Sequence, residues 1–193
     1  MFFPRRNKKQ QKERSKLRED FLDACARGKP DEVEKLIASG ADIHDYNGGR
    51  TALYYAVLSN NLETVRVLLD HGADVNARVK GVNGGFNDFS GTTPLLIAAQ
   101  RHFSAIANAL LDYGADVRVA DNSGLTALHY AAKRGDAALA QRLIDKGADI
   151  NAKDKWKHVP EYYAQLNNHR AVVMLLWQEA FRQPPPSRKP PSP

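Results

Sequence analysis

The feature that most constrains this chain is a beat of 33 residues. Gly-Ala-Asp, followed by Ile or Val, begins at Gly40, Gly72, Gly114 and Gly147. A second mark, Thr-Ala-Leu or Thr-Pro-Leu, begins at Thr51, Thr93 and Thr126, with a degenerate Val-Pro-Glu at Val159. The steps from Thr93 to Thr126 and from Thr126 to Val159 are 33 residues, whereas Thr51 to Thr93 is 42, so one connection carries nine extra residues. A unit repeated at this period cannot bury its own apolar face. It needs a neighbouring copy against it, and the result is a stack.

The clearest unit, DNSGLTALHYAAKRGDAALAQRLIDKGADINAK, runs from Asp121 to Lys153. Its opening DNSG is turn chemistry, with Gly124 free to take a positive φ. Thr126 is placed to cap a helix starting at Ala127, and its successor in the preceding unit is Pro94, well tolerated at a first helical position. Gly135 ends that helix; Gly28, Asn60, His102 and Asn168 hold the same place, mostly residues that accept a left-handed cap. In the second helix Leu139, Leu143 and Ile144 form an apolar stripe, and Gly147 closes it.

TALHYAA, TTPLLIAA and RTALYYAV are close to the TPLHxAA signature of the ankyrin repeat, and the whole pattern resembles that family. The resemblance covers residues 17–181 and implies an all-α chain: an ankyrin-repeat solenoid of stacked helix-turn-helix units with β-hairpin-like fingers. Five repeats are expected, at about 17–46, 47–78, 88–120, 121–153 and 154–181, with the outer two as degenerate caps. The extra residues form a finger insertion at about 79–89. Glu161 and Lys157 in the fifth unit replace the usual Leu and Gly, as suits an end that faces water.

Charge is unevenly placed. Residues 1–18 hold eight Lys/Arg and one Glu, and residues 182–193 hold three cations and no acid, so a chain of net charge +6 has a mildly acidic middle. The segment 1–16 reads as a basic arm, disordered or helical, and 182–193 as a Pro-rich disordered tail. Arg5 to Arg18 offers a contact to anionic lipid or nucleic acid. The longest apolar run, Ala171 to Trp177, falls far short of the roughly 20 residues of a membrane span. With a charged N-terminus and one cysteine, Cys25, the expected location is cytoplasmic.

No constellation of reactive side chains stands out. The six histidines show no metal-ligand spacing, VNGG lacks the Lys-Ser/Thr of a phosphate loop, and the repeated Gly-Ala-Asp carboxylates are expected to accept N–H bonds in the fingers. Cys25 lies on an apolar helix face, as a small core residue does. The chain is expected to be non-enzymatic, with no cofactor, metal or small-molecule substrate. The resemblance implies one covalent alternative: Asn76 and Asn151 stand where an asparaginyl hydroxylase acts in some ankyrin repeats, although an Asn bonded to its own turn explains both.

The resemblance also implies a protein partner held on a concave face of finger tips and first helices. Carried over position by position, the binding residues are Arg50, Arg78, Phe86, Phe89, Arg101, Tyr113, Leu125, Lys133, Arg134, Trp156 and His158. Aromatic residues and Arg are the usual hot-spot types. The expected protein is a monomeric adaptor or inhibitor. A narrower version is a dedicated inhibitor of a toxin or enzyme encoded nearby.

Overall fold

A computed structural model describes residues 8–79 and 91–182. The insertion phenylalanines Phe86 and Phe89 lie outside the described residues. Ten helices are found among these: α1 Lys8–Ala26, α2 Pro30–Ala38, α3 Ala52–Leu58, α4 Leu62–Asp70, α5 Pro94–Arg101, α6 Ser104–Asp112, α7 Ala127–Arg134, α8 Ala137–Asp145, α9 Pro160–Leu166 and α10 Arg170–Arg182. The odd-numbered helices pack in one row and the even-numbered in a second, each pair joined by a short turn. This is the stacked all-α solenoid that the period demands.

Local chemistry explains why the helices begin and end where they do. The Thr51 and Thr93 hydroxyls accept the N–H groups of Tyr54 (3.2 Å) and Leu96 (3.4 Å), which would otherwise go unpaired at a helix start. At Thr126 the backbone N–H donates to His129 Nδ1 at 3.1 Å. An accepting Nδ1 leaves the proton on Nε2, which stands 3.3 Å from the His158 carbonyl of the next unit. Gly28, Asn60, His102, Gly135 and Asn168 all take left-handed φ between 54° and 75°, closing the first helix of each unit. Leu53, Leu95 and Leu128 are at most 1% exposed, and Ala56, Ala98 and Ala131 let the first helices approach closely.

The fingers carry the strands. β1 Tyr46–Asn47 pairs antiparallel with β2 Arg50–Thr51 across Gly48 and Gly49, both at positive φ, as a two-residue hairpin turn requires. In the later fingers the N–H groups of Val79, Asp121 and Asp154 donate to Thr92, Leu125 and His158 carbonyls at 3.1, 3.0 and 3.0 Å. The N–H groups of Gly91, Gly124 and Lys157 return to the carbonyls of Val79, Asp121 and Asp154 at 2.8, 2.9 and 3.0 Å. Val79 therefore occupies the place of the two aspartates and is buried. Two residues separate Asp121 from Gly124, and eleven separate Val79 from Gly91. The nine extra residues are spliced into the tip of the second finger.

The last unit turns through Lys157 at φ 67°, where its neighbour has Gly124 at 80°. Its outer helix α10 leaves Met174, Trp177 and Phe181 exposed, while the Trp177 indole N–H donates to Glu161 Oε1 at 2.7 Å. No helix among the described residues is long and apolar enough to cross a membrane.

Candidate protein-binding face

The first-helix row ends in cations. Arg101 and Arg134 are the last residues of α5 and α7, with Gln100 and Lys133 just before them. Arg134 donates through Nε and Nη2 to the Gln100 carbonyl at 3.1 and 2.9 Å, so one unit's guanidinium is tied to the helix end of the unit before it. One finger away, Arg50 Cζ lies 5.5 Å from the centre of the Tyr54 ring, a cation–π distance. Burial raises the Tyr54 pKa, and the charges of Arg50 and Arg101 both oppose that rise. Arg101, Lys133 and Arg134 thus stand at the ends of α5 and α7, whereas Arg50 precedes α3 and Tyr54 is buried. None of the ion pairs found among the described residues uses Arg50, Arg101, Lys133 or Arg134.

The fourth finger sets aromatic groups near the start of α7, where His129 Nε2 meets the His158 carbonyl. Asp154 Oδ1 accepts the N–H groups of Trp156 and His158, each at 2.8 Å, and Oδ2 accepts the Tyr163 hydroxyl at 2.6 Å. Burial works against the Asp154 charge, and these donors more than offset it, holding the carboxyl below its ordinary range. The His158 ring stacks on Tyr162 with centroids 3.9 Å apart. Trp156 has no comparable cover: its side chain stands 62% exposed on a turn that is fully bonded beneath it.

The third finger repeats this frame. Asp121 Oδ1 accepts from Ser123 at 2.7 Å and Leu125 at 3.0 Å, and Oδ2 accepts from the Tyr130 hydroxyl at 2.6 Å. Leu125 is half-buried behind it. Lys155 N–H donates to the Ser123 carbonyl at 3.0 Å, joining the two fingers. Nothing in the sequence reading singled out these Asp–Tyr pairs. Their signal was an Asp and a Tyr nine residues apart, recurring one period later. In the second finger the corresponding residues are Val79 and Ile97, both buried, so the carboxylate and the hydroxyl are absent together.

Other residues fall elsewhere. Tyr113 follows α6 and donates to Asp70 at the end of α4, which puts it among the second helices, apart from Arg101 and Arg134. Arg78 is exposed in the second finger. Each Gly-Ala-Asp carboxylate accepts the N–H two residues on, from His44, Asn76, Arg118 and Asn151 at 2.8–2.9 Å. The Asn76 side chain accepts the Asp116 N–H of the next finger at 2.8 Å and so bridges units instead of bonding its own turn. Burial pushes the Cys25 thiol up to about 12, which keeps it protonated and unreactive near neutral pH. Among the described residues no group of three His, Cys, Asp or Glu is placed to hold a metal ion.

Comparison with known proteins places this geometry. The family model described as "Ankyrin repeats (3 copies)" matches residues 21–79 and 79–154. The human protein phosphatase 1 regulatory subunit 27 is 39% identical over 100 residues, 50% of this chain and 58% of that one. Its mouse counterpart is 36% identical over 104 residues, 53% of this chain and 62% of that one. The E3 ubiquitin-protein ligase KEG of Arabidopsis thaliana is 40% identical over 92 residues, 47% of this chain but 5% of the ligase. The matched region thus spans less than two thirds of each of these relatives.

Proposed function

The chain belongs to the ankyrin-repeat family, and on that premise we propose that it is a non-catalytic adaptor or inhibitor holding a protein partner on the face of its first helices and fingers. The observation that carries this reading is Trp156. An indole is costly to leave in water, and this one is 62% exposed while its own backbone N–H is locked to Asp154. A rigidly presented Trp at a finger tip has the composition of an interface hot spot. The phosphatase relatives, named as regulatory subunits, support a role that acts on another protein.

The test is capture of a partner by tagged native chain and by Trp156→Ala. The ring buries little within the chain, so the variant should melt within about 2 °C of native, since a surface change is usually within about 0.5 kcal/mol. Retention of the partner by a folded Trp156→Ala would count against the face.

A second reading has its own observation. In α1, Lys8, Lys12 and Lys16 recur every fourth residue and are all exposed. They sit toward the positive end of the helix dipole, where cations are least at ease. They form a ridge suited to a polyanion, whose binding would weaken steeply as salt rises.

A further inference from the structure

In a stack each unit leans on its neighbours, and the last unit has a neighbour on one side alone. Positions one period apart compare directly. Leu128 and Ala132 of α7 are buried, and 33 residues on α9 has Glu161 and Gln165 in their place. Polar groups have replaced apolar ones there, as an end that meets water requires. Helix α10 does the opposite. Half-buried Gln141 and Ile144 of α8 give way to Met174 and Trp177, which are 61% and 50% exposed. Buried Ala148 gives way to Phe181, 90% exposed. Val172 and Leu176 already supply the buried side of α10, so this outer stripe adds nothing to the core.

We propose that a second copy of this chain covers the stripe, the two α10 helices packing antiparallel about a two-fold axis between Met174 and Trp177. Arg170, Met174, Trp177 and Phe181 are all exposed and fall at i, i+4, i+7 and i+11, the seam of a helix pair. Read from its two ends the seam is complementary to itself. Met174 of one copy meets Trp177 of the other, a thioether against an indole. Arg170 meets Phe181, a guanidinium against a ring. A parallel pair would set Arg170 against Arg170, with no carboxylate on the stripe to relieve them. The antiparallel pair holds those two cations about 16 Å apart along the axis, and it opposes the helix dipoles. Trp177 is already oriented by its bond to Glu161, which reduces the freedom lost on pairing. From the 150–250 Å² that an aromatic side chain carries, the exposed parts of Phe181, Trp177 and Met174 present about 400 Å² per copy. Apolar atoms make up roughly six-tenths of an interface, so two copies imply about 1,300 Å² in all, the lower end of the stable range. Such a dimer forms with a Kd of about 10–100 µM, below which the chain is the monomer its sequence leads one to expect. The seam uses none of the residues assigned above to a protein partner.

The experiment is sedimentation equilibrium of the full chain from about 5 to 200 µM at roughly 150 mM salt. The native chain should pass from the 21.4 kDa monomer toward twice that mass. Met174→Glu with Phe181→Glu should weaken pairing by roughly tenfold or more and stay monomeric over the whole range. Should that pair of changes unfold α10, Phe181→Ser alters the most exposed ring alone and must weaken pairing in the same direction. Cross-linking reads the direction of the helices. Oxidation of a mixture of Arg170→Cys and Phe181→Cys chains should join one of each, whereas either chain alone should not join to itself, because a disulfide needs Cα atoms within about 7 Å. Cys25 is buried and does not compete.

A native chain that stays monomeric at about 200 µM would overturn the proposal. So would a dimer that survives Met174→Glu with Phe181→Glu, which would place the contact elsewhere. Self-joining of either single variant would replace the antiparallel pair with a parallel one. A chain that dimerises only once residues 183–193 are removed would give the stripe to its own Pro-rich tail instead of a second copy. None of these results touches the protein-binding face, because that reading falls only if folded Trp156→Ala retains its partner.

Discussion

At Gly124 the backbone turns with φ 80°, and a Cβ built there would stand 2.9 Å from Asp154 Cα and 3.0 Å from Lys155 N. Both objections to a side chain meet at this position: the left-handed conformation and the backbone of the next finger. Gly124→Ala must push apart two fingers that Lys155 N–H and the Ser123 carbonyl hold together. It should lose about 2 kcal/mol or more, roughly 4–8 °C in Tm. One period later Lys157 adopts the same conformation, φ 67°, with an exposed side chain and a Cβ that strains it. Lys157→Gly should therefore stabilise by about 0.5–1 kcal/mol, the relief of strain exceeding the added freedom of the unfolded chain. Thermal melts of the two variants check both signs, and a lowered Tm for Lys157→Gly would mean that the Lys stem supports the turn. The need for Gly124 could be read from DNSG alone, but the approach of Asp154 could not, because it depends on how two units stack.

At the scale of the finger, the pairs Asp121–Tyr130 and Asp154–Tyr163 tie each turn to the helix that follows it. Burial, then the neighbouring carboxylate, raise the Tyr163 hydroxyl from 10.0 to about 12. A phenol whose folded pKa lies above its unfolded value contributes stability in full below pH 10, and that contribution is lost as pH climbs toward 12. The depressed pKa of Asp154 acts at the other end. Its contribution is present above the usual carboxylate range and disappears as pH falls through the lowered value. Tyr163→Phe leaves Asp154 Oδ2 without its hydroxyl donor and should lose about 1–2 kcal/mol at neutral pH. It should also flatten the alkaline fall in Tm between pH 10 and 12. An unchanged alkaline slope would show that the titration lies elsewhere. Caps, turns and apolar stripes were legible in the sequence because each is settled within a few residues of chain. The Asp–Tyr clamp, the Arg134–Gln100 tie and the Asn76 bridge join residues 9 to 40 positions apart. They emerge only once units are stacked, and the same stacking puts Tyr113 with the second helices.

For the molecule as a whole, the period fixes a continuous stack, and an interruption of the period must be absorbed without breaking it. The second finger does this by closing its base. Val79 N–H to the Thr92 carbonyl and Gly91 N–H to the Val79 carbonyl reproduce the bonds that close the uninterrupted fingers at Asp121 and Asp154. Those fingers span the same gap with two residues. Deleting Lys80 to Asp88 would leave Phe89 and Ser90 between Val79 and Gly91 and restore the 33-residue step. Because the closing bonds join Val79, Gly91 and Thr92, all of which the deletion keeps, the shortened chain should stay folded. A shorter loop loses less entropy on closure, by up to roughly 1.5 kcal/mol here, so Tm should hold or rise by about 2–5 °C. Partner capture should separate from stability in this variant: if the insertion contributes Phe86 to binding, the deletion loses the partner while melting no lower than native. A fall in Tm of several degrees would instead assign the removed residues to the packing of the stack, and retained capture at native Tm would leave the first-helix face to bind on its own.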